Sequence, residues 1–304
     1  MYKRQAKNNG LRKEFIEHIR NYEYDVVCGS TNTDFPEEFE IPRENTGTLK
    51  DQGDVGACVA EVIAQIAESF YHEEMSEGFA YGTLRKGTSK NSGMFVSTAM
   101  DLWKSLGTLP KKYFDILCEM PEMREVTSKF PDLSEIAAKY KLKSYVSIGI
   151  SSNRDNSIKD ALTKYGRGLV ATSNDFFGES HCIVLTGWND KNGTYKFKNS
   201  WGESYGDKGY GEIPKDEIYF VFVPLFEEID VPFNDVSKDD WFYDDVKSMY
   251  FAGITKGTSD TTFEPNRPIT RAEDAAKTNR LLKMIDERFD ILNRVLTEKV
   301  KIID

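Results

Sequence analysis

The chain of 304 residues contains four cysteines, Cys28, Cys58, Cys118 and Cys182. One of them, Cys58, lies in DQGDVGACVAEVI (residues 51–63), where a glycine-containing loop turns apolar without a break. From Cys58 onward Val59, Val62, Ile63, Ile66, Ala67 and Phe70 recur at helical spacing. The thiol is therefore expected in the first turn of a buried helix. There the macrodipole favours the thiolate and lowers its pKa from about 8.5. A thiolate is a nucleophile that needs no strong base. Taken alone, a free cysteine is most often a small buried hydrophobe, but two other residues change that reading. His181 opens the apolar run HCIVLTGWN and, unlike His18 and His72, falls in an expected core strand. An imidazole there is costly unless satisfied or functional. Asn199 follows in KNSWGESYGDKGYGEI, just ahead of Trp201. Cys, His and Asn in this order, separated by close to 130–150 residues, is a layout for thiol-based acyl transfer.

For these three side chains to meet, a helix and a set of strands must converge. Residues 11–22 carry Leu11, Phe15, Ile16, Ile19 and Tyr22 at helical spacing, which predicts an amphipathic helix. Residues 28–50 read as turn-rich and extended. A helix is expected over 94–106, stopped by Gly107, with shorter ones over 133–140 and 156–165. The texture then changes. GLVATSN, HCIVLTGWN, GTYKFKNSW, YGEIP and IYFVFVPL are short β-rich runs separated by turn signals. A helical half followed by a strand-rich half predicts an α+β unit of two lobes, ending near residue 228.

Beyond Pro232, FNDVSKDDWFYDDVKSMYFAG reads as a turn, a capping box from Ser237 to Asp240, and a helix closed by Gly253. Thr270 and Glu273 form a second capping box. Apolar residues at 282, 285, 289, 292, 296 and 303 alternate by three and four. That pattern suits a short coiled coil, and equally a helix packing on its own chain. The expected layout is a helical segment over 1–34, the two-lobed unit over 35–228, a small helical module over 229–284 and a helical tail over 285–304.

Composition removes several classes of function. Apolar residues make up 39% and aromatics 12%, enough for a sizeable core. The net charge of −10 argues against a nucleic-acid or anionic-membrane partner. No run approaches the roughly 18 apolar residues that a membrane span needs. The cysteines form no CxxC pair, so neither a zinc site nor a thioredoxin-like motif is indicated, and no cofactor is implied. The first residues, MYKRQAKNNGLRKEF, are basic but contain no apolar core and no small-residue cleavage site.

The blocks LKDQGDVGACVA, HCIVLTGWND and YKFKNSWGESYGDKGYGEI, in this order, resemble the papain-family cysteine peptidases over residues 35–228. The resemblance implies a helical lobe and a β-barrel lobe with a cleft between them, and hydrolysis of peptide bonds in protein or peptide substrates. It makes Cys58 the nucleophile, His181 the general acid and Asn199 the residue that orients His181. Trp201 would shield the His181–Asn199 bond and border the substrate site. Gln52 would donate its amide to the oxyanion beside the N–H of Cys58. Gly93 would pair its backbone with the extended substrate; an ordinary turn glycine is the alternative. Four positions depart from the family. Val55 stands where a disulfide cysteine is usual, Ala57 where a serine is, Val59 where a tryptophan is, and Cys182 where a small apolar residue is. They mark a divergent, bacterial-type member.

Residues 233–283 resemble a single S-layer homology module, through F-x-D-V, Trp241, A-G-I-x-x-G, F-x-P-N and T-R-A-E. Such modules anchor surface proteins to anionic cell-wall polysaccharide, which makes Arg271 the candidate ligand contact. They usually occur in threes, and trimerisation through the heptad-like tail would supply the missing copies. The combined expectation is a cysteine endopeptidase carrying a wall-binding module, at the cell surface or secreted. Two other readings stand beside it: a non-catalytic binding scaffold, and a cytoplasmic or phage-associated processing peptidase whose module serves assembly.

Overall fold

A computed structural model describes residues 22–24, 34–84, 93–115, 132–149, 153–176, 179–226, 231–251, 254–283 and 285. The expected helix over 11–22 and the tail beyond residue 285 fall outside them, except that Tyr22 belongs to a two-residue strand, Tyr22–Glu23. Cys28 and Cys118 also lie outside. The chain divides into two compact units, Met1–Glu14 with Ser30–Glu227, and Phe15–Gly29 with Glu228–Asp304.

In the first unit the helices are α1 (Cys58–Tyr71), α2 (Glu77–Thr83), α3 (Val96–Leu106) and α4 (Arg154–Tyr165), with a further helical segment over 132–137, where 133–140 was expected, that tightens into a 3-10 turn at Ala138–Tyr140. Helix α1 begins at the nucleophile candidate, and every residue from Cys58 to Ser69 is buried. Gly107 terminates α3 at a φ of 89°, as its sequence position predicts. Helix α2 is not visible as hydrophobic periodicity, because EGFAYGT contains two glycines. Its signal is the cap, where Ser76 Oγ accepts from Phe79 N at 3.0 Å.

The strands of this unit are β1 (Glu38–Glu40), β2 (Ser144–Ile148), β3 (Leu169–Phe176), β4 (Glu179–Asn189), β5 (Thr194–Lys198), β6 (Tyr210–Pro214) and β7 (Ile218–Leu225). They pair antiparallel in the order β2-β7-β3-β4-β5-β6, with β1 added against the end of β4. Two of these strands were not expected: β1 lies in the stretch read as turn-rich and extended, and β2 is a short apolar run, YVSI. At Gly187 two strands crowd β4. A Cβ there would lie 2.1 Å from the carbonyl oxygen of Phe39, so glycine is what lets β1 pair.

Side chains alternate across a strand, so His181 and Cys182 project to opposite faces of β4. Cys182 and Val184 share a buried cluster with Cys58, Val62, Phe220 and Phe222. Helix α1 is therefore packed onto the strand that carries His181. This is the α+β arrangement of helices and an antiparallel sheet that the residue pattern predicts.

The second unit has a small core of Val231, Phe233, Val236, Tyr243 and Val246. Asp235 ties it together by accepting from Phe263 N at 2.8 Å and Glu264 N at 2.7 Å. The capping box at Ser237 departs from expectation. Asp240 does accept from Ser237 N at 2.8 Å, but residues 238–242 form turns and the helix starts at Tyr243. The reciprocal bond to the Ser237 hydroxyl comes from Asp239 N at 3.3 Å, which closes a turn instead of opening a helix. The box at Thr270 does open a helix, over 271–283. Glu273 Oε2 accepts from Thr270 N at 2.8 Å, and Glu273 N donates to Thr270 Oγ1 at 3.2 Å.

Candidate active site

Two short segments far apart in sequence are laced together at the site. Gln52 N donates to Ser200 O at 2.9 Å and Gly202 N donates to Lys50 O at 3.0 Å, with Asp51 facing Trp201 in a bridge. Gly202 adopts a φ of 73°, and a Cβ on it would approach Asp51 Oδ2 to 2.6 Å. The lacing sets the loop that leads into Cys58 beside the end of β5, where Asn199 sits.

His181 and Asn199 are both fully buried, and His181 Nε2 lies 2.7 Å from Asn199 Oδ1. Ser200 N also donates to that oxygen, at 2.8 Å, which fixes the amide orientation. An amide oxygen only accepts, so Nε2 carries the hydrogen. The imidazole is one corner of an aromatic triangle, since Phe176 and Trp201 are themselves 5.4 Å apart. Phe176 packs on it at a centroid separation of 4.8 Å and Trp201 at 5.0 Å. Trp201 is in turn 5.3 Å from Tyr205, whose hydroxyl burial pushes up to about 12. Phe176 is absent from the sequence reading. Its only signal is that it lies on the strand preceding the histidine.

The Cys58 thiol is reduced and fully buried. The backbone N–H groups of Cys182, Val59 and Cys58 favour its charged form, and Cys58 shares a buried cluster with Cys182, the residue that follows His181. The helix N-terminus was expected to lower this thiol's pKa. Burial instead pushes it up to about 12, with the three N–H groups pulling the other way. Removing a charge from water outweighs the dipole here.

Gln52 is buried, and its amide is held at both ends. Nε2 donates to Val55 O at 2.8 Å, and Oε1 accepts from Ser200 Oγ at 2.6 Å. Ser200 thus connects Gln52 and Asn199, and sequence reasoning missed it because a serine carries no distinctive signal. Gly93 is buried and directly follows residues 85–92, which are not described. No ligand contact is assigned to it.

Beneath the site lies a charged layer. Lys50 Nζ is 2.7 Å from Glu68 and 3.4 Å from Glu77. Glu68 also accepts from Thr48 N at 2.6 Å, Thr48 Oγ1 at 2.8 Å and Met75 N at 2.9 Å. Lys198, one residue before Asn199, donates to the carbonyls of Thr46 (3.0 Å), Gly47 (2.6 Å) and Thr48 (2.8 Å). Burial pushes its ammonium down to about 7.

Residues 114–220 match the profile of the papain family of cysteine proteases, and residues 232–273 match the S-layer homology domain. The chain carries a papain-family unit followed by an S-layer homology domain. The papain-family match spans His181, Asn199 and Trp201 but begins after Cys58 and Gln52. The chain is 24% identical to Peptidase 1 of Euroglyphus maynei over 228 residues, 66% of each protein. It is 46% identical over 66 residues to the Surface-layer 125 kDa protein of Lysinibacillus sphaericus, covering 21% of this chain and 6% of that one. In fold it is similar to xylellain, a cysteine protease from Xylella fastidiosa. The TM-score is 0.58 at 18% identity, covering 75% of this chain and all of the other. The chain thus spans less than two thirds of the length of the curated relatives it matches.

The S-layer homology domain has a cavity of about 380 Å³. Lys256, Arg267, Lys277 and Arg280 line it together with Glu264 and Glu273. Arg267 is paired with both carboxylates, and Arg280 Nε donates to Ile254 O at 2.8 Å. Arg271, the residue singled out from sequence, is exposed in the first turn of the 271–283 helix and does not line this cavity.

Proposed function

We propose that the papain-family unit is a cysteine endopeptidase, with Cys58 as nucleophile and His181 as its proton partner. The observation that carries this reading is the buried His181–Asn199 bond of 2.7 Å, with the Cys58 thiol clustered with the residue that follows His181. With Nε2 committed to Asn199, Nδ1 is the nitrogen that exchanges a proton with the thiol. Burial disfavours an isolated thiolate, but moving its proton to an adjacent imidazole keeps the pair neutral overall. The thiolate then attacks the scissile carbonyl, and the oxyanion is met by the N–H of Cys58 and the Gln52 amide. His181 gives its proton to the leaving amine as the C–N bond breaks and a thioester remains. Water, deprotonated by His181, attacks the thioester, and the thiol departs reprotonated.

The S-layer homology domain supports association with a cell surface. Its cavity presents four cations against two carboxylates, which suits an anionic, carboxylate-bearing polysaccharide. Trimerisation remains part of this proposal, since exposed apolar residues such as Trp241, Ile269 and Leu282 on this small unit suit contacts between copies.

The test is labelling with an epoxide-type cysteine-peptidase inhibitor followed by peptide mapping, together with cleavage of a fluorogenic peptide library. Labelling confined to Cys58, slowed in His181→Ala, supports the reading. Absence of both labelling and cleavage under reducing conditions refutes it and favours a non-catalytic scaffold. For the wall role, sedimentation with purified wall polysaccharide should be lost in Arg280→Ala.

A further inference from the structure

The reaction just described does not use the polar stripe that runs beneath the thiol. Cys58, Glu61, Gln65 and Glu68 lie at i, i+3, i+7 and i+10 on α1, and so share one helix face. All four are buried, Glu61 at 1% exposure and Gln65 at 0%. Glu68 is engaged by Lys50 and Thr48, as described above. Gln65 Oε1 and Nε2 find no hydrogen-bond partner among the described residues. A polar stripe on a helix buried over most of its length weakens the fold unless it serves something. Glu61 is the member one turn from the nucleophile, and as a carboxylate it is within electrostatic reach of both Cys58 and Lys50.

We propose that Glu61 sets the pH range over which the Cys58–His181 pair works, by holding a negative charge one helical turn beneath the thiol. This rests on the reading of Cys58 and His181 as the reacting pair. As pH rises the pair passes from thiol–imidazolium to thiolate–imidazolium to thiolate–imidazole. Each step removes a proton and makes the site more negative. A buried carboxylate opposes both steps, so it raises both limbs of the pH profile. A residue that acts only through packing changes the height of the profile and leaves its limbs in place. Other charged groups face this region. Lys198 does so from β5, Lys50 from the preceding loop, Glu68 from α1, and Glu77 from α2, and His181 lies next to Cys182 on β4. An isosteric change at Glu61 leaves all of these in place.

The experiment is the rate of Cys58 alkylation by iodoacetamide across pH 4–10 in the full chain, read by peptide mapping, for wild type and Glu61→Gln. The expected result is a shift of both limbs to lower pH, each on the order of one unit, as a unit charge at helical-neighbour distance gives. Glu61→Asp, which keeps the charge, should return the limbs toward their original positions. Unmoved limbs, or movement of one limb alone, overturns the proposal. Should Glu61→Gln not fold, Gln65→Glu adds a carboxyl further along the same stripe and should raise both limbs; unmoved limbs there also overturn it. A wild-type profile with no His181-dependent limb defeats the reacting-pair reading itself, and this proposal with it.

Discussion

Replacing Asn199 with alanine isolates one contact of the proposed catalytic pair. The substitution removes the oxygen that accepts from His181 Nε2 at 2.7 Å and from Ser200 N at 2.8 Å. The ring keeps its packing, because Phe176 and Trp201 still contact it at 4.8 and 5.0 Å. The loss is then that of one buried hydrogen bond to a group that becomes charged, about 1.5–3 kcal/mol. Each 1.36 kcal/mol is tenfold, so kcat/KM should fall on the order of 10- to 150-fold. The acceptor favours the imidazolium over the neutral ring, so its removal should also move the alkaline limb to lower pH. The assay is kcat/KM for a fluorogenic peptide over a pH series, with His181→Ala measured alongside. A loss smaller than about threefold (far below the value of such a bond) with an unmoved alkaline limb would refute the orienting role. A loss as deep as that of His181→Ala would show that Phe176 and Trp201 do not hold the ring by themselves.

Glu68→Gln breaks a buried ion pair with Lys50 at 2.7 Å and turns an acceptor shared by Thr48 and Met75 into a mixed donor. Urea unfolding should show a loss of about 3 kcal/mol, and a loss under about 1 kcal/mol would mean that Glu77 compensates fully. Lys198→Met leaves the carbonyls of Thr46, Gly47 and Thr48 without their shared donor, and should cost about 3 kcal/mol by the same measurement. An unchanged midpoint would show that those carbonyls find other donors. In the S-layer homology domain, Arg267 and then the Thr270 N–H and hydroxyl hold the Glu273 carboxyl down to about 2. A depressed carboxyl stabilises fully above its unfolded value of about 4.3, and that contribution disappears as pH falls through about 2. Carbon-detected NMR titration of Glu273 should find the low midpoint; titration near 4.3 would mean the cap is not formed in solution.

Much of this protein is written in local pattern. The i, i+3, i+4 apolar series after Cys58 places the thiol in the first turn of α1, because only that spacing buries one face of a helix. The short β-rich runs from 168 to 225 become strands because turn signals bound them and β-branched and aromatic residues fill them. Thr270 and Glu273 cap a helix because the box closes over three residues. Ser237 and Asp240 meet locally too, yet five residues of turn intervene before the helix, since the same short-range bonds close a turn as readily as they open a helix.

What the tertiary structure decided concerns groups far apart in the chain. The lacing of residues 50–52 onto 200–202, sealed by the Ser200–Gln52 bond across 148 positions, sets the geometry of the oxyanion candidate and of Asn199 together. Phe176 becomes a wall of the imidazole site only when β3 and β4 pair. Cys58 was readable as a nucleophile candidate, but its burial came from α1 packing on β4. That burial turned an expected low pKa into one raised to about 12. The sequence by itself determined which residues could react and which elements would carry them, because periodicity and capping are local. Only the packed fold decided how dry the thiol is and which charges face it, because solvation and field are sums over neighbours that the chain brings together at long range.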